Sequence, residues 1–496
     1  MTTLSFTCAG CGTVVPATGS GSYPFRCPSA RPGDDIDHVV RRTFDPAGRT
    51  FPDPDEPNPF IRYRHLLSAH ALALDSSLSD ETFVKIVREL DAAVGRVDGK
   101  GFSERPFSLA AALGQRLECG KGEVWVMDET GNVSGSHKAR HLMGVMLYLL
   151  VMESITRQSR DGRSPLAIAS CGNAALAAAV VARAADWPLQ VFVPSSAPGS
   201  IVARLQQLGG QVRVCDRQEG LPGDPSYHAF RDALAAGAIP FSCQGSDNGL
   251  TIEGGETLAW EMISANRRLV AATRQWGARR LNAVFIQVGG GALASAVMQG
   301  FAEAKQIGVV DRLPRFYTVQ TRGGYPLKRA YDRIAERILA RVPLVIDQGF
   351  SPAADQERAD LIASHPALID EEMQYARTHR SAFMAPWEKA PQSIAHGILD
   401  DETYDWAAVV EGMLRTAGWP LVVGEERLID ANAIARETTG IDVDHTGSAG
   451  LAGLMKAMST DRRLADERVA VIFSGVNRGA DPKADATAAA VARDGR

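Results

Sequence analysis

The sequence predicts an α/β protein built on parallel sheet. Short apolar runs alternate with small-residue helices from Pro165 through Phe241 and again from Ala283, which is the pattern of repeated βαβ units. Several of those runs end in turns rich in glycine and serine, where open α/β sheets bind ligands. The composition, 45% hydrophobic and 22% charged, is that of an ordinary globular chain able to bury such sheets.

A chain of 496 residues predicts two or three domains. The formal net charge of −5 gives no reason to expect nucleic acid or an anionic membrane surface as partner. The start, Met1-Thr-Thr-Leu-Ser-Phe-Thr-Cys8, lacks a basic region followed by a long apolar core, so no signal peptide is expected. The apolar run Val145–Met152 is too short to span a bilayer. Seven scattered cysteines fit reduced thiols rather than a disulfide framework, and the expected location is the cytoplasm.

Residues 1–44 read as a separate segment. Cys8-Ala-Gly-Cys11-Gly has the spacing of a metal knuckle, and Cys27-Pro28 follows. A second knuckle would need a cysteine near position 30, where Ala30 stands; His38 offers a fourth ligand at looser spacing. Zinc on Cys8, Cys11 and Cys27 and a metal-free ribbon both remain open. Residues 45–59 carry Pro46, Pro52, Pro54, Pro57 and Pro59 among acidic residues and read as a stiff linker. The folded body is expected from near Phe60, with helical pattern from Ile61 to Leu117 interrupted around Gly95–Pro106.

Strand Val124–Met127 then leads through Gly131, Ser134, Gly135 and Ser136 to Lys138, which opens a helix apolar nearly all round to Met152. Such a helix should be buried. A lysine entering a protected site can serve as a neutral, nucleophilic amine; the bland alternative is a lysine that snorkels to solvent. A second strand runs into Ser170-Cys171-Gly172-Asn173 and a small-residue helix. Free N–H groups at that turn suit an anion, and Asn173 either adds a donor or caps the helix. Leu189–Val193, Pro198–Leu208 and Gln211–Cys215 continue as strand, helix and strand, and Thr251–Arg268 reads as a helix. Strand Ala283–Val288 ends in Gly289, Gly290 and Gly291 before a helix from about Ala292, the clearest phosphate cradle in the chain. Gly289, Gly291 and Ala294, with Asp311 further on, also fit a dinucleotide fingerprint, so NAD is a second reading of this loop.

Arg315–Gln320 reads as a further strand. Residues 331–415 form a charged helical insert to which no chemistry is assigned; Trp387 and Trp406 are read as packing residues. His445 beside a glycine turn could face a ligand; the favoured reading is a surface or helix-start histidine. Strand Val469–Phe473 ends in Ser474-Gly475-Val476-Asn477, placing a serine where a ligand is expected.

Four loops thus follow in order: Ser-Gly-Ser-His-Lys, Ser-Cys-Gly-Asn-Ala, Val-Gly-Gly-Gly-Ala-Leu and Ser-Gly-Val-Asn. Over residues 60–480 this order resembles the fold-type II pyridoxal-phosphate enzymes: threonine synthase, threonine and serine dehydratases, cysteine synthase and the tryptophan synthase β chain. The cysteine-containing start is similar to the zinc-ribbon-like segment of some threonine synthases. His137-Lys138 is similar to the tryptophan synthase β chain; Cys171 stands where Ser or Thr is usual, and the glycine loop is closer to dehydratases.

The resemblance implies two parallel-sheet α/β domains with the cofactor between them: a large one from 60–159 and 263–480, and a small one, 160–262, inserted in it. The zinc-ribbon-like segment 1–44 and the linker 45–59 precede them, and a tail, 481–496, follows. It implies Lys138 as the Schiff-base lysine that also moves the α-proton, and Asn173 as partner of the cofactor's phenolic oxygen. Gly289, Gly290, Gly291 and Ala292 would hold the phosphate, and Ser474 the pyridine nitrogen. Ser170, Cys171, Ala174 and His137 would border the substrate. The expected activity is β- or γ-elimination or replacement on a small amino acid with pyridoxal 5'-phosphate, in a homodimer. An NAD-dependent oxidoreductase and a non-catalytic pyridoxal-phosphate-binding regulator are the alternatives.

Overall fold

A computed structural model of the chain describes residues 4–17, 23–52, 55–216, 224–273, 280–343, 354–388 and 391–479. The tail expected from 481 lies outside the described residues. In chain order the strands are Ser5–Cys8 (β1), Val14–Pro16 (β2), Val40–Arg42 (β3), Phe107–Leu109 (β4), Glu123–Asp128 (β5), Leu166–Ala169 (β6), Leu189–Pro194 (β7), Gln211–Cys215 (β8), Ile239–Pro240 (β9), Ala283–Gln287 (β10), Arg315–Thr321 (β11), Pro420–Val423 (β12) and Arg468–Phe473 (β13). They form an antiparallel ribbon, β2-β1-β3, and two larger sheets, β8-β7-β6-β9 and β12-β11-β10-β13-β5-β4. The four-stranded sheet is parallel throughout; the six-stranded one is parallel except for β4, which pairs antiparallel with β5 at the edge.

The chain divides into two compact units. The first holds Met1–Ala30, His38–Glu104 and Asn132–Leu258, and so contains the ribbon and the four-stranded sheet. The helices of 60–104 and the whole of the helix Lys138–Thr156, here called the lysine helix, fall in this unit. The lysine helix is buried from Ala139 to Met152 except at Gly144 and Leu150, and it is covered by the helices Ser68–Asp75, Asp80–Asp98 and Asn173–Ala184. It also passes close to the start of the helix Thr251–Thr273. A Cβ on Gly144 would lie 2.8 Å from the Gly254 Cα, and one on Gly254 only 2.1 Å from the Arg140 carbonyl oxygen. Glycine at both positions lets the two backbones meet.

The second unit holds Arg31–Asp37, Arg105–Gly131 and Ala259–Arg496, with the six-stranded sheet. Every residue of β10 and β13 is buried, as expected for central parallel strands that read as continuous apolar runs. Two edge strands escape the sequence reading. β4 lies in a stretch read as helix, and its Leu109 is left 46% exposed. β12 is a four-residue run starting with Pro420, which an edge strand tolerates at its first position. Neither is long enough for periodicity to separate strand from helix. No helix among the described residues is long and apolar enough to cross a membrane.

Candidate active site

The expected residues lie at the carboxyl ends of strands in both units. In the first unit the approach to Lys138 is tightly wound. Asn132 Oδ1 accepts from the Val133 N–H at 2.8 Å, and the Ser134 N–H donates to Asp98 Oδ2 at 2.9 Å. Ser134 (φ 53°) and Gly135 (φ 73°) are both left-handed. A non-glycine residue held there is strained, a frequent mark of functional turns. The turn delivers Lys138 as the first residue of its helix, half-buried, with no side-chain cap on the helix start.

Two histidines flank the lysine. His137 and His141 are buried, and their rings meet edge to face with centroids 5.6 Å apart. His141 Nδ1 lies 2.7 Å from the Thr251 carbonyl oxygen. A carbonyl only accepts, so Nδ1 carries the proton and Nε2 is a bare acceptor. Burial, reinforced by the Lys138 charge, pushes His141 down to about 3 and His137 well below the usual histidine range. Both imidazoles are therefore neutral at physiological pH.

This has a measurable consequence. Between about 3 and 6.5 the unfolded chain protonates His141 and the folded chain does not. His141 thus contributes stability that is full above 6.5 and declines as pH falls, by at most about 1.4 kcal/mol per pH unit. Asp444 opposes it: raised from 3.8 to about 7 by burial, it favours folding at low pH and loses that contribution as pH rises through 7. The clean comparison is against His141→Asn, whose amide can still donate to Thr251. Urea unfolding from about pH 6 to about pH 4 should show a shallower loss of stability in the variant, by about 1 kcal/mol per pH unit. Equal slopes would mean that His141 protonates inside the fold.

The turn Ser170–Asn173 leaves the carboxyl end of β6, an interior strand of its sheet. Residues 170–174 are half-buried, whereas the helix is buried from Ala175 to Ala182. Gly172 occupies the cap position and offers no side-chain acceptor, so Asn173 is the first helical residue and not the cap. The lysine helix and the turn before it both pack on this helix. Cys243, which the sequence reading passed over, sits past the end of the neighbouring strand β9, with Sγ 3.9 Å from the Lys138 carbonyl oxygen.

In the second unit β10 and β13 are parallel neighbours, so Gly289–Gly291 and Ser474 leave the same end of the sheet. Gln287 Nε2 joins the two ends, donating to the carbonyls of Gly447 and Ile472 at 3.1 Å each. The helix Ala292–Gln306 begins after Gly291 (φ 98°) without a side-chain cap, which leaves its first N–H groups for an anion. The glycines also have a packing reason. Thr403 Oγ1 donates to the Gly289 carbonyl and the Asp405 N–H to that of Gly290, each at 3.0 Å. A Cβ on Gly289 would lie 2.9 Å from the Ile398 Cα, and one on Gly291 2.9 Å from Thr403 Cγ2. Residues 398–405 belong to the insert to which the sequence reading gave no chemistry. Trp387 of that insert does pack, against Tyr325 and under the Arg329 guanidinium, and Trp406 is fully buried.

Ser474 is buried, and a second overlooked residue lies beside its loop. Asp444 donates its N–H to the Gly475 carbonyl and accepts from the Gly447 N–H through Oδ1 at 2.5 Å. His445 next to it is half-buried.

In the first unit an amine stands at a half-buried helix start; in the second, a neutral hydroxyl and an uncapped helix behind a glycine loop leave the same end of one sheet, a donor set that suits a phosphate-bearing ligand. A model of the pyridoxal-phosphate-dependent enzyme family matches residues 103–475. The chain belongs to that family. Threonine synthase of Methanocaldococcus jannaschii is 21% identical over 72% of this chain and 71% of its own. Threonine synthase of Mycobacterium tuberculosis is 22% identical over 71% and 75%. The catabolic L-serine/threonine dehydratase of Saccharomyces cerevisiae is 27% identical over 38% and 50%. Among solved structures, processed threonine deaminase isoform 2 of Solanum lycopersicum superposes with a TM-score of 0.52 at 17% identity, covering 84% of this chain and 94% of that one. Maize serine racemase gives 0.50 at 16%, covering 83% and 99%.

Membership makes pyridoxal phosphate the cofactor, and the NAD reading falls on geometry as well. A dinucleotide site needs its acidic residue at the carboxyl end of the strand after the glycine loop. Asp311 precedes β11, whose start pairs with the start of β10, so it lies at the opposite end of the sheet from Gly289. The regulator reading has no support either, since the matching family is one of enzymes.

Proposed function

We propose that this pyridoxal-phosphate-dependent enzyme is a lyase or synthase of the threonine synthase and dehydratase kind, acting on a small amino acid by β- or γ-elimination or replacement. The observation that carries the reading is Lys138 at an uncapped helix start between two buried, neutral histidines. Pyridoxal phosphate, when bound, supplies the electron sink that lets a proton leave the substrate α-carbon. The chain does the rest. Lys138 holds the cofactor's carbonyl carbon and moves the α-proton. The neutral imidazoles of His137 and His141 add no positive charge beside that amine, and His137 borders the substrate.

Gly289, Gly290, Gly291 and Ala292 hold the phosphate through backbone N–H groups at the helix start. Asn173 meets the phenolic oxygen. The turn of Ser170, Cys171 and Ala174, backed by a helix with no side-chain cap, takes the substrate carboxylate. Ser474 places a hydroxyl at the pyridine nitrogen, which does not enforce a protonated ring and so suits elimination and replacement. Seven free cysteines fit a reducing cytoplasm, and a homodimer is the assembly proposed.

The test is the visible spectrum of the purified protein, titrated with serine, threonine and O-phosphohomoserine, with product analysis for each. A spectral shift with one of them, accompanied by release of ammonia or phosphate, is the expected result. Bound cofactor that responds to no small amino acid would overturn the substrate class.

A further inference from the structure

The ribbon at the start of the chain plays no part in the chemistry above, yet it gathers the second concentration of reactive side chains in the first unit. The Sγ atoms of Cys8, Cys11 and Cys27 and a ring nitrogen of His38 all lie within 4.8 Å of one another. Cys11 Sγ is 3.6 Å from Cys27 Sγ, and Cys8 Sγ is 3.4 Å from His38 Nδ1. A disulfide would need about 2.05 Å. A tetrahedral ion with bonds of about 2.3 Å to sulfur and about 2.0 Å to nitrogen sets its ligands about 3.5–3.8 Å apart, close to both separations.

The backbone presents these atoms in an orderly way. Cys8 ends β1, and the chain turns through Gly12 (φ 74°), with the Gly12 N–H donating to the Cys8 carbonyl and the Cys8 N–H to that of Thr13 at 2.9 Å each. Ala9 donates to the Val39 carbonyl at 2.8 Å, which brings His38 alongside the knuckle just before β3. Cys8 and Cys27 are buried.

The other group of this kind among the described residues, His65, His70 and Asp80, is already satisfied: Arg64 holds both Asp80 oxygens at 2.6 and 3.0 Å. A fixed guanidinium there opposes a cation. Three thiol ligands with one imidazole suit zinc.

We propose that Cys8, Cys11, Cys27 and His38 bind one zinc ion, which clasps the segment carrying Cys27 and His38 to the turn between β1 and β2. The ribbon is also tied to the helix that carries Lys138 and to the start of Thr251–Thr273. Phe6 meets the Tyr148 ring edge to face at 6.3 Å, and Tyr148 Oη donates to the Ala17 carbonyl at 2.6 Å. Arg42 pairs with Glu253 and Glu256 at 2.9 and 3.1 Å, largely shielded from water.

The experiment is metal analysis of the full-length protein as purified, with cobalt(II) exchange and limited proteolysis before and after chelation. About one zinc per chain is expected, and the visible bands of tetrahedral cobalt–thiolate after exchange. His38→Ala should lower zinc retention against a chelator at least tenfold, and His38→Cys should restore it. Chelation of the wild type should open residues 1–44 to protease, whether or not pyridoxal phosphate is bound. Substoichiometric zinc with no cobalt bands, another metal in its place, or full retention in a Cys8→Ser, Cys27→Ser double variant would overturn the site. A ribbon equally protease-resistant after chelation would overturn the clasp. None of these readouts depends on the catalytic reading.

Discussion

Lys138→Ala should lose turnover by at least about 10³-fold, because in the proposed mechanism it removes at once the cofactor's covalent partner and the acid–base group at the α-carbon. The loss should be chemical and not structural. Lys138 is the first residue of its helix and half-buried, alanine is the best helix former, and the buried face from Ala139 onward is untouched. The variant should therefore melt close to the wild type while losing the cofactor's visible absorption near about 410–420 nm. Turnover equal to the wild type would remove Lys138 from the mechanism.

Gly289→Ala should weaken pyridoxal phosphate binding. Its new Cβ would meet the Asp400 carboxylate, which can swing away, but also the Ile398 Cα at 2.9 Å, which can move only with its backbone. Overpacking of this kind costs about 1–3 kcal/mol. If displaced residues 398–405 distort the glycine loop, the cost appears as roughly a 5- to 150-fold weaker cofactor affinity. Titration of the cofactor-free protein measures it directly. Unchanged affinity with lowered melting temperature would assign the glycines to packing alone.

The legible parts of the site are those written in consecutive residues. The order strand, glycine turn, uncapped helix at Ala283–Ala292 is local, as are the apolar lysine helix and the small-residue turn at Ser170–Ala174. Each needs only nearest-neighbour propensities and a helix's own end groups to be recognised. The short edge strands β4 and β12 are not legible in the sequence because three or four residues carry no period.

The sequence by itself determined the α/β class, and it offered Lys138 and the glycine loop as candidates, with Cys8, Cys11 and Cys27 and, at looser spacing, His38 as a candidate zinc group. Only the tertiary structure decided the rest. His38 reaches the cysteines because β3 pairs with β1, and Asp311 fails as a ribose ligand because parallel pairing puts it at the wrong end of the sheet. Residues 398–405 lie against Gly289 across more than a hundred intervening positions. Asp444 is driven up to about 7 by burial that no neighbouring residue announces. Propensity and periodicity are properties of adjacent residues, whereas proximity and desolvation are properties of whichever distant segments the packed chain brings together.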